Sequence, residues 1–216
     1  MAIGLNILQL RFREGLTQAQ LASALGVTKE TVCRWERGKS SIREKHVRRL
    51  CELYGITSDD IMSDVAGLHA KESFKHDDMN TQAEADRDAV PIFEIGRSAR
   101  GTSLVAKGFS HAPIDVIERH PNAAFVRMKD KDMTSSYPLS SLLLVDPSIK
   151  PFNGCTVVAI IDESNILIRK YVQGNNLVML STHSHNSTAP DLTLDKRRVR
   201  SVGVVVWYQA NHDLRV

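Results

Sequence analysis

A chain of 216 residues, 42% hydrophobic and 25% charged, can bury one or two cores and is too ordinary in composition for a disordered or fibrous class. The net charge of +3 falls within residues 1–62, which carry 10 Lys and Arg against 7 Asp and Glu. So small a surplus excludes a sequence-blind polycation and fits a reader of nucleic acid that gains avidity by pairing. No run approaches the roughly 18 apolar residues of a membrane span. The N-terminal stretch reaches Arg11 and Arg13 before any long apolar core, so no signal peptide is expected. Cys33, Cys51 and Cys155 lack paired spacing, which predicts reduced thiols of a cytoplasmic protein and neither a disulfide framework nor a zinc site. No cofactor is expected.

Taken in chain order, Leu5, Leu8 and Phe12 recur at helical spacing. Thr17 with Gln20 forms a capping box, Leu21, Ala22 and Leu25 give that helix an apolar side, and Gly26 closes it. Val27 fills a tight turn and Thr28 caps the next helix, whose Val32 and Trp35 face inward. Lys29, Glu30, Thr31, Cys33 and Arg34 then face outward, and Gly38 stops the helix. Ser41 with Glu44 reads as another capping box, before a helix that carries Val47, Leu50, Cys51 and Tyr54 on one face and ends at Gly55. Thr57 with Asp60 opens a last turn through Ile61 and Met62. About five helices are expected in residues 1–62.

Residues 63–89 are polar, mixed in charge and poor in aromatics, a linker composition. From Val90 the period turns extended. VPIFEI, AAFVRM, SLLLVD, CTVVAIID, NILIRKY, LVML and VGVVVWY are Val-, Ile- and Leu-rich runs between turn residues, so residues 90–216 form a mainly β domain. His183 and His185 have no further ligand at metal spacing and read as a polar turn; no metal site is expected. The basic run Lys196, Arg197, Arg198 and Arg200 reads as a solvated edge, with contact to DNA or an acidic partner as the alternative.

Leu16 to Lys39, with its two caps, Gly-Val turn and Trp-Glu-Arg-Gly-Lys ending, resembles the helix-turn-helix of phage-type repressors. That resemblance implies that Gln18 donates to a phosphate, and that Lys29, Glu30, Thr31 and Arg34 reach base edges. Arg suits guanine, Thr a thymine methyl, and Glu30 either accepts from cytosine or orients Lys29 or Arg34. Lys39, Ser40 and Arg43 are implied backbone contacts that position without specifying sequence. Arg11 and Glu36 occupy the positions of an internal ion pair and belong to structure.

Val90 to Tyr208 resembles the C-terminal domain of LexA-type repressors, which cleave themselves with a Ser-Lys pair. The resemblance rests on GRSARG at 96–101, FVRMKDKDMTSSYPLSSLLLVDPSIKP at 125–151 and LIRKY at 167–171. Three departures fall where the chemistry would be. Asp132 stands at the nucleophilic Ser, Arg169 at the base Lys, and Arg100 at the small residue before the scissile Gly101. A carboxylate does not form serine's acyl intermediate. A guanidinium stays protonated where a desolvated lysine becomes a base. The resemblance therefore implies a peptidase fold without peptidase activity. Asp132 and Arg169, of opposite charge, are expected to pair and plug the cleft; the alternative leaves both in solvent. Ser135 or Ser136 with Lys170 is a weaker substitute dyad, because Lys170 points to the strand face opposite Arg169.

The expectation is a two-domain DNA-binding repressor, an all-α headpiece plus a LexA-like β domain. It binds double-stranded operator DNA as a homodimer or homotetramer, keeps a prophage lysogenic, and is released by an antirepressor protein. Two readings compete with it: a self-cleaving damage-response repressor with an unusual dyad, and a host regulator whose β domain senses a small molecule.

Overall fold

The computed structural model describes residues 2–62, 89–98 and 101–210. The helical part runs α1 (Ala2–Arg13), α2 (Gln18–Leu25), α3 (Lys29–Glu36), α4 (Glu44–Tyr54) and α5 (Ser58–Met62). The Thr17–Gln20 capping box is complete, and Gly26 closes α2 at φ 66°, a left-handed conformation that glycine adopts without Cβ strain. Thr28 accepts from the Thr31 amide at the start of α3. Ser41 and Glu44 form no capping box. The N-cap of α4 is Arg43, in extended conformation and without a side-chain bond, because Ile42 is committed to the core and helical dihedrals begin only at Glu44. Ile7, Leu10, Leu21, Val32, Trp35, Val47, Leu50 and Ile61 fill the headpiece core. α1 lies tight against the end of α3: a Cβ on Gly4 would sit 2.6 Å from the Trp35 carbonyl oxygen.

The second part runs β1 (Ala89–Ser98), β2 (Gly101–His111), α6 (Ile114–Arg119), β3 (Ala124–Arg127), β4 (Leu142–Asp146), β5 (Thr156–Ile161), β6 (Asn165–Gln173), β7 (Leu177–Ser181), β8 (Leu192–Asp195) and β9 (Val199–Gln209). Among the described residues these strands make one sheet in the order β2-β1-β3-β4-β9-β5-β6-β7-β8. The β1–β3 pair is parallel and the others are antiparallel. β4 and β5 are buried along their whole length, which is why they read as unbroken apolar runs rather than alternating ones. Alternation survives in where their side chains go: Val158 and Ile160 join one core, Val157, Ala159 and Ile161 the other. Bulges at Ile92/Phe93, Leu144/Val145 and Val158/Ala159 bend the sheet. Ala89, assigned to the linker, begins β1; the remainder of 63–89 lies outside the described residues. No helix among the described residues is long and apolar enough to cross a membrane.

The stripe Leu5, Leu8 and Phe12 does not line the headpiece core. Ile3, Ile7 and Leu10 do that, while Leu8 and Phe12 turn the opposite way and pack into the core of the β domain. Phe12 is fully buried, its ring stacked on Phe93 with centroids 5.2 Å apart and planes 13° from parallel.

Candidate functional site

Two places carry the chemistry. In the headpiece, α2 and α3 present a polar face whose geometry follows from their caps. Lys29 and Glu30 are exposed in the first turn of α3, and Arg34 is exposed one turn on. Thr31 is half-buried, its hydroxyl 3.1 Å from that of Thr28. Lys39 and Arg43 are exposed and Ser40 half-buried in the segment that follows. Burial, together with the Lys45 and Arg43 charges, holds His46 below the usual imidazole range.

Beneath this face lies a buried ionic group. Arg11 Nε meets Glu36 Oε1 at 2.6 Å, and Arg11 Nη1 donates to the Leu16 carbonyl at 2.9 Å. Both side chains are almost fully buried. Gln18 joins them, its Nε2 donating to Glu36 Oε2 at 2.8 Å. Gln18, expected at a phosphate, thus holds an internal bond with one amide hydrogen and has the other left for an outside acceptor. The reason lies in Glu36: its Oε2 is only 3.4 Å from Arg11 Nη2 and takes a closer donor from the start of α2.

In the β domain, Asp132 and Arg169 meet. Arg169 Nη2 stands 2.5 Å from Asp132 Oδ2, with side chains 7% and 18% exposed respectively. The β3–β4 loop, residues 128–141, delivers Asp132 and strand β6 delivers Arg169, two elements far apart in the chain. Asp132 Oδ1 accepts from Ser187 Oγ at 2.7 Å, and Arg169 Nη1 donates to the Ile168 carbonyl at 2.8 Å. The β7–β8 loop is bonded onto the same segment. The His183 amide donates to the Asp132 carbonyl at 2.7 Å, the Ser135 amide to the His183 carbonyl at 2.9 Å, and the Thr134 and Ser184 hydroxyls lie 2.6 Å apart. Asp130 Oδ1 accepts from the Asp132 amide at 3.2 Å. Burial pushes the Asp130 carboxyl above the usual carboxylate range; that hydrogen bond and Arg169 oppose the shift, and the Asp132 charge adds to it.

Ser135 uses its amide on the His183 carbonyl, and Ser136 Oγ lies 2.6 Å from His183 Nδ1. Lys170 Nζ reaches the Gly154 carbonyl at 3.4 Å on an exposed edge. The Ser-Lys substitute finds no contact here. Of the expected cleavage site, Arg100 lies outside the described residues, while Gly101 opens β2 as the pairing partner of Ser98. The Thr102 amide donates to the Ser164 carbonyl at 2.7 Å, which ties the start of β2 to the β5–β6 corner. Ser164 precedes Arg169 by five residues, roughly 16 Å along an extended strand.

Three groups went unread in the sequence. Ser187 and Ser184 sit in a hydroxyl-rich loop whose spacing carries no chemical signature. Asp130, two residues before Asp132 in KDKD, was visible only as part of a mixed-charge run. Arg200, in the basic run, is no solvated edge: its Nη1 bonds the Arg13 carbonyl and Glu14 Oε2, each at 2.8 Å. Arg198 pairs with Asp162 at 2.6 Å.

Residues 95–206, more than half the chain, match the Peptidase S24-like family. The chain belongs to the Peptidase S24-like family. Residues 2–62 of this S24-like protein match a second family, described as a helix-turn-helix domain. The chain is also similar to Antitoxin PezA of Streptococcus pneumoniae serotype 4, with 29% identity over 73 residues, 34% of this chain and 46% of that protein. It thus spans less than half the length of that relative. The S24-like fold is present with a carboxylate and a guanidinium joined in the cleft that the LexA resemblance assigns to its dyad.

Proposed function

We propose that this S24-like protein is a sequence-specific transcriptional repressor that does not cleave itself. The observation that carries the reading is the Asp132–Arg169 pair, 2.5 Å apart and largely buried. Held by Arg169 and Ser187, Asp132 is neither a serine nor free to act as a nucleophile, and a paired guanidinium accepts no proton. Thr102, next to Gly101 at the start of β2, is tied to Ser164, five residues before Arg169, and this supports the same conclusion.

The headpiece reads double-stranded operator DNA with Lys29, Glu30, Thr31 and Arg34. Lys39, Ser40, Arg43 and the free amide hydrogen of Gln18 serve the phosphates. One helix-turn-helix covers few base pairs, so two copies joined through their β domains address a two-fold site. A repressor that keeps its chain intact is released by binding, and an antirepressor protein in the bacterial cytoplasm is the proposed input, with maintenance of a prophage as the setting.

The test follows chain length and DNA protection together. Purified protein held at alkaline pH is expected to keep its full mass while protecting a two-fold sequence from nuclease digestion. Two fragments meeting near Gly101 would overturn the reading in favour of a self-cleaving enzyme.

A further inference from the structure

The headpiece is not merely tethered to the β domain; it is docked on it by contacts of four kinds. Phe12 is buried against Phe93 of β1, and Leu8 packs beside it. The Gln9 side chain, 2% exposed, donates its amide to the Leu104 carbonyl of β2. Gly15, at φ 64°, comes so near β9 that a Cβ there would lie 2.8 Å from the Ser201 carbonyl oxygen. Arg200 of β9 bonds both the Arg13 carbonyl and Glu14. The same helix α1 touches α3 at Gly4, so the reading helix is coupled to the sheet through a single rigid rod. Docking leaves Lys29, Glu30 and Arg34 exposed, so the docked headpiece keeps its reading face open.

We infer that this dock sets operator specificity by fixing the spacing between half-sites. The inference rests on the proposed role as a paired DNA reader. Where headpieces hang on flexible tethers, a changed spacing alters effective concentration only gradually, because the tether adjusts. Where each headpiece is seated on its own sheet, the pair of reading helices has one separation and one angular offset. Each inserted base pair then moves the second half-site along the groove and rotates it, a full turn taking about 10–10.5 base pairs. The second headpiece must undock to follow.

The experiment measures affinity of the full chain, at one salt concentration, for its footprinted two-fold site and for versions with one to five base pairs added or removed between half-sites. The intact protein is expected to lose about a hundredfold at two or three added base pairs, the avidity that pairing supplies. Arg200→Glu, at a partly exposed side chain outside the β core, sets two carboxylates together and is expected to flatten the profile to about threefold, with single half-site affinity unchanged. Adding Glu14→Arg to Arg200→Glu restores opposite charges and is expected to restore the narrow profile. Urea unfolding of each variant verifies that the β domain is intact. A wild-type profile as broad as that of Arg200→Glu, or a double variant that stays broad, would overturn the inference and leave the repressor reading standing. A chain that protects no two-fold site overturns both.

Discussion

Replacing Arg169 with methionine tests whether the Asp132–Arg169 pair is a buried device or a surface accident. Methionine keeps most of the side-chain volume in β6 and removes the charge. Asp132, 18% exposed in the intact pair, then keeps Ser187 as its side-chain donor and has the Asp130 carboxyl two residues away. Removing one partner of a buried ion pair costs about 3–5 kcal/mol. The residual exposure and the Ser187 bond place this site near 3 kcal/mol, by the same scale. With a urea slope of about 2 kcal/mol per molar, the midpoint of the β-domain transition falls by about 1.5 M. Asp132→Asn alone strands the guanidinium and costs a comparable amount. Combining Asp132→Asn with Arg169→Met removes both charges, and the total loss is expected near 1–1.5 kcal/mol, well below the sum of the singles. Equilibrium urea unfolding followed by tryptophan fluorescence, with Trp207 near the end of β9 as probe, reads all four corners of the cycle. A loss under about 1 kcal/mol for Arg169→Met is the behaviour of a solvated pair and would refute the reasoning. So would single-variant costs that add to within about 0.5 kcal/mol in the double.

Further outcomes follow from the same structure. Asp130 binds its proton more tightly folded than unfolded, so its contribution is favourable below the unfolded carboxylate range and is lost as pH rises through the raised folded value. Asp130→Asn is therefore expected to stabilise the β domain at neutral pH, with the advantage over wild type vanishing on acidification; thermal melts between pH 3 and pH 7 check it. Gly4→Ala drives a Cβ into the Trp35 and Glu36 carbonyls, and the overpacking is expected to cost the headpiece about 1–3 kcal/mol in its melting transition. Arg34→Ala is expected to weaken operator binding by about 1–3 kcal/mol and to relax discrimination at one base pair. Arg43→Ala instead lowers affinity evenly across sequences and reduces the salt slope by about one, as seen in titrations at several salt concentrations.

Local chemistry made the headpiece legible. Caps and closing glycines act within four residues, so Thr17, Gln20, Gly26 and Thr28 declare α2 and α3 unaided. The Asp132–Arg169 contact was legible for a different reason: a resemblance that pinned both positions to one cleft also showed them to be of opposite charge. Ser41–Glu44 misled because a capping pattern says nothing of where the preceding chain is anchored, and here Ile42 holds it extended. The reach of α1 was hidden more deeply. Its residues alternate between two cores, Ile7 and Leu10 to one and Leu8 and Phe12 to the other, and a helix apolar on two sides shows a stripe without disclosing which body each side meets. Arg200 could not be read for the same reason, since its partners Arg13 and Glu14 lie in the other domain.

The two sites bear on each other through the sheet. Phe93 and Leu104, which receive α1, belong to the β1–β2 hairpin, and the far end of that hairpin is tied at Thr102 to Ser164. Here an ion pair stands at the positions that the LexA resemblance assigns to the dyad, and β1 and β2 are the seat for the helix-turn-helix domain. On the proposed reading, the uncleaved chain and the fixed headpiece share one mechanical basis: β1 and β2 stay where Thr102 and Phe93 hold them.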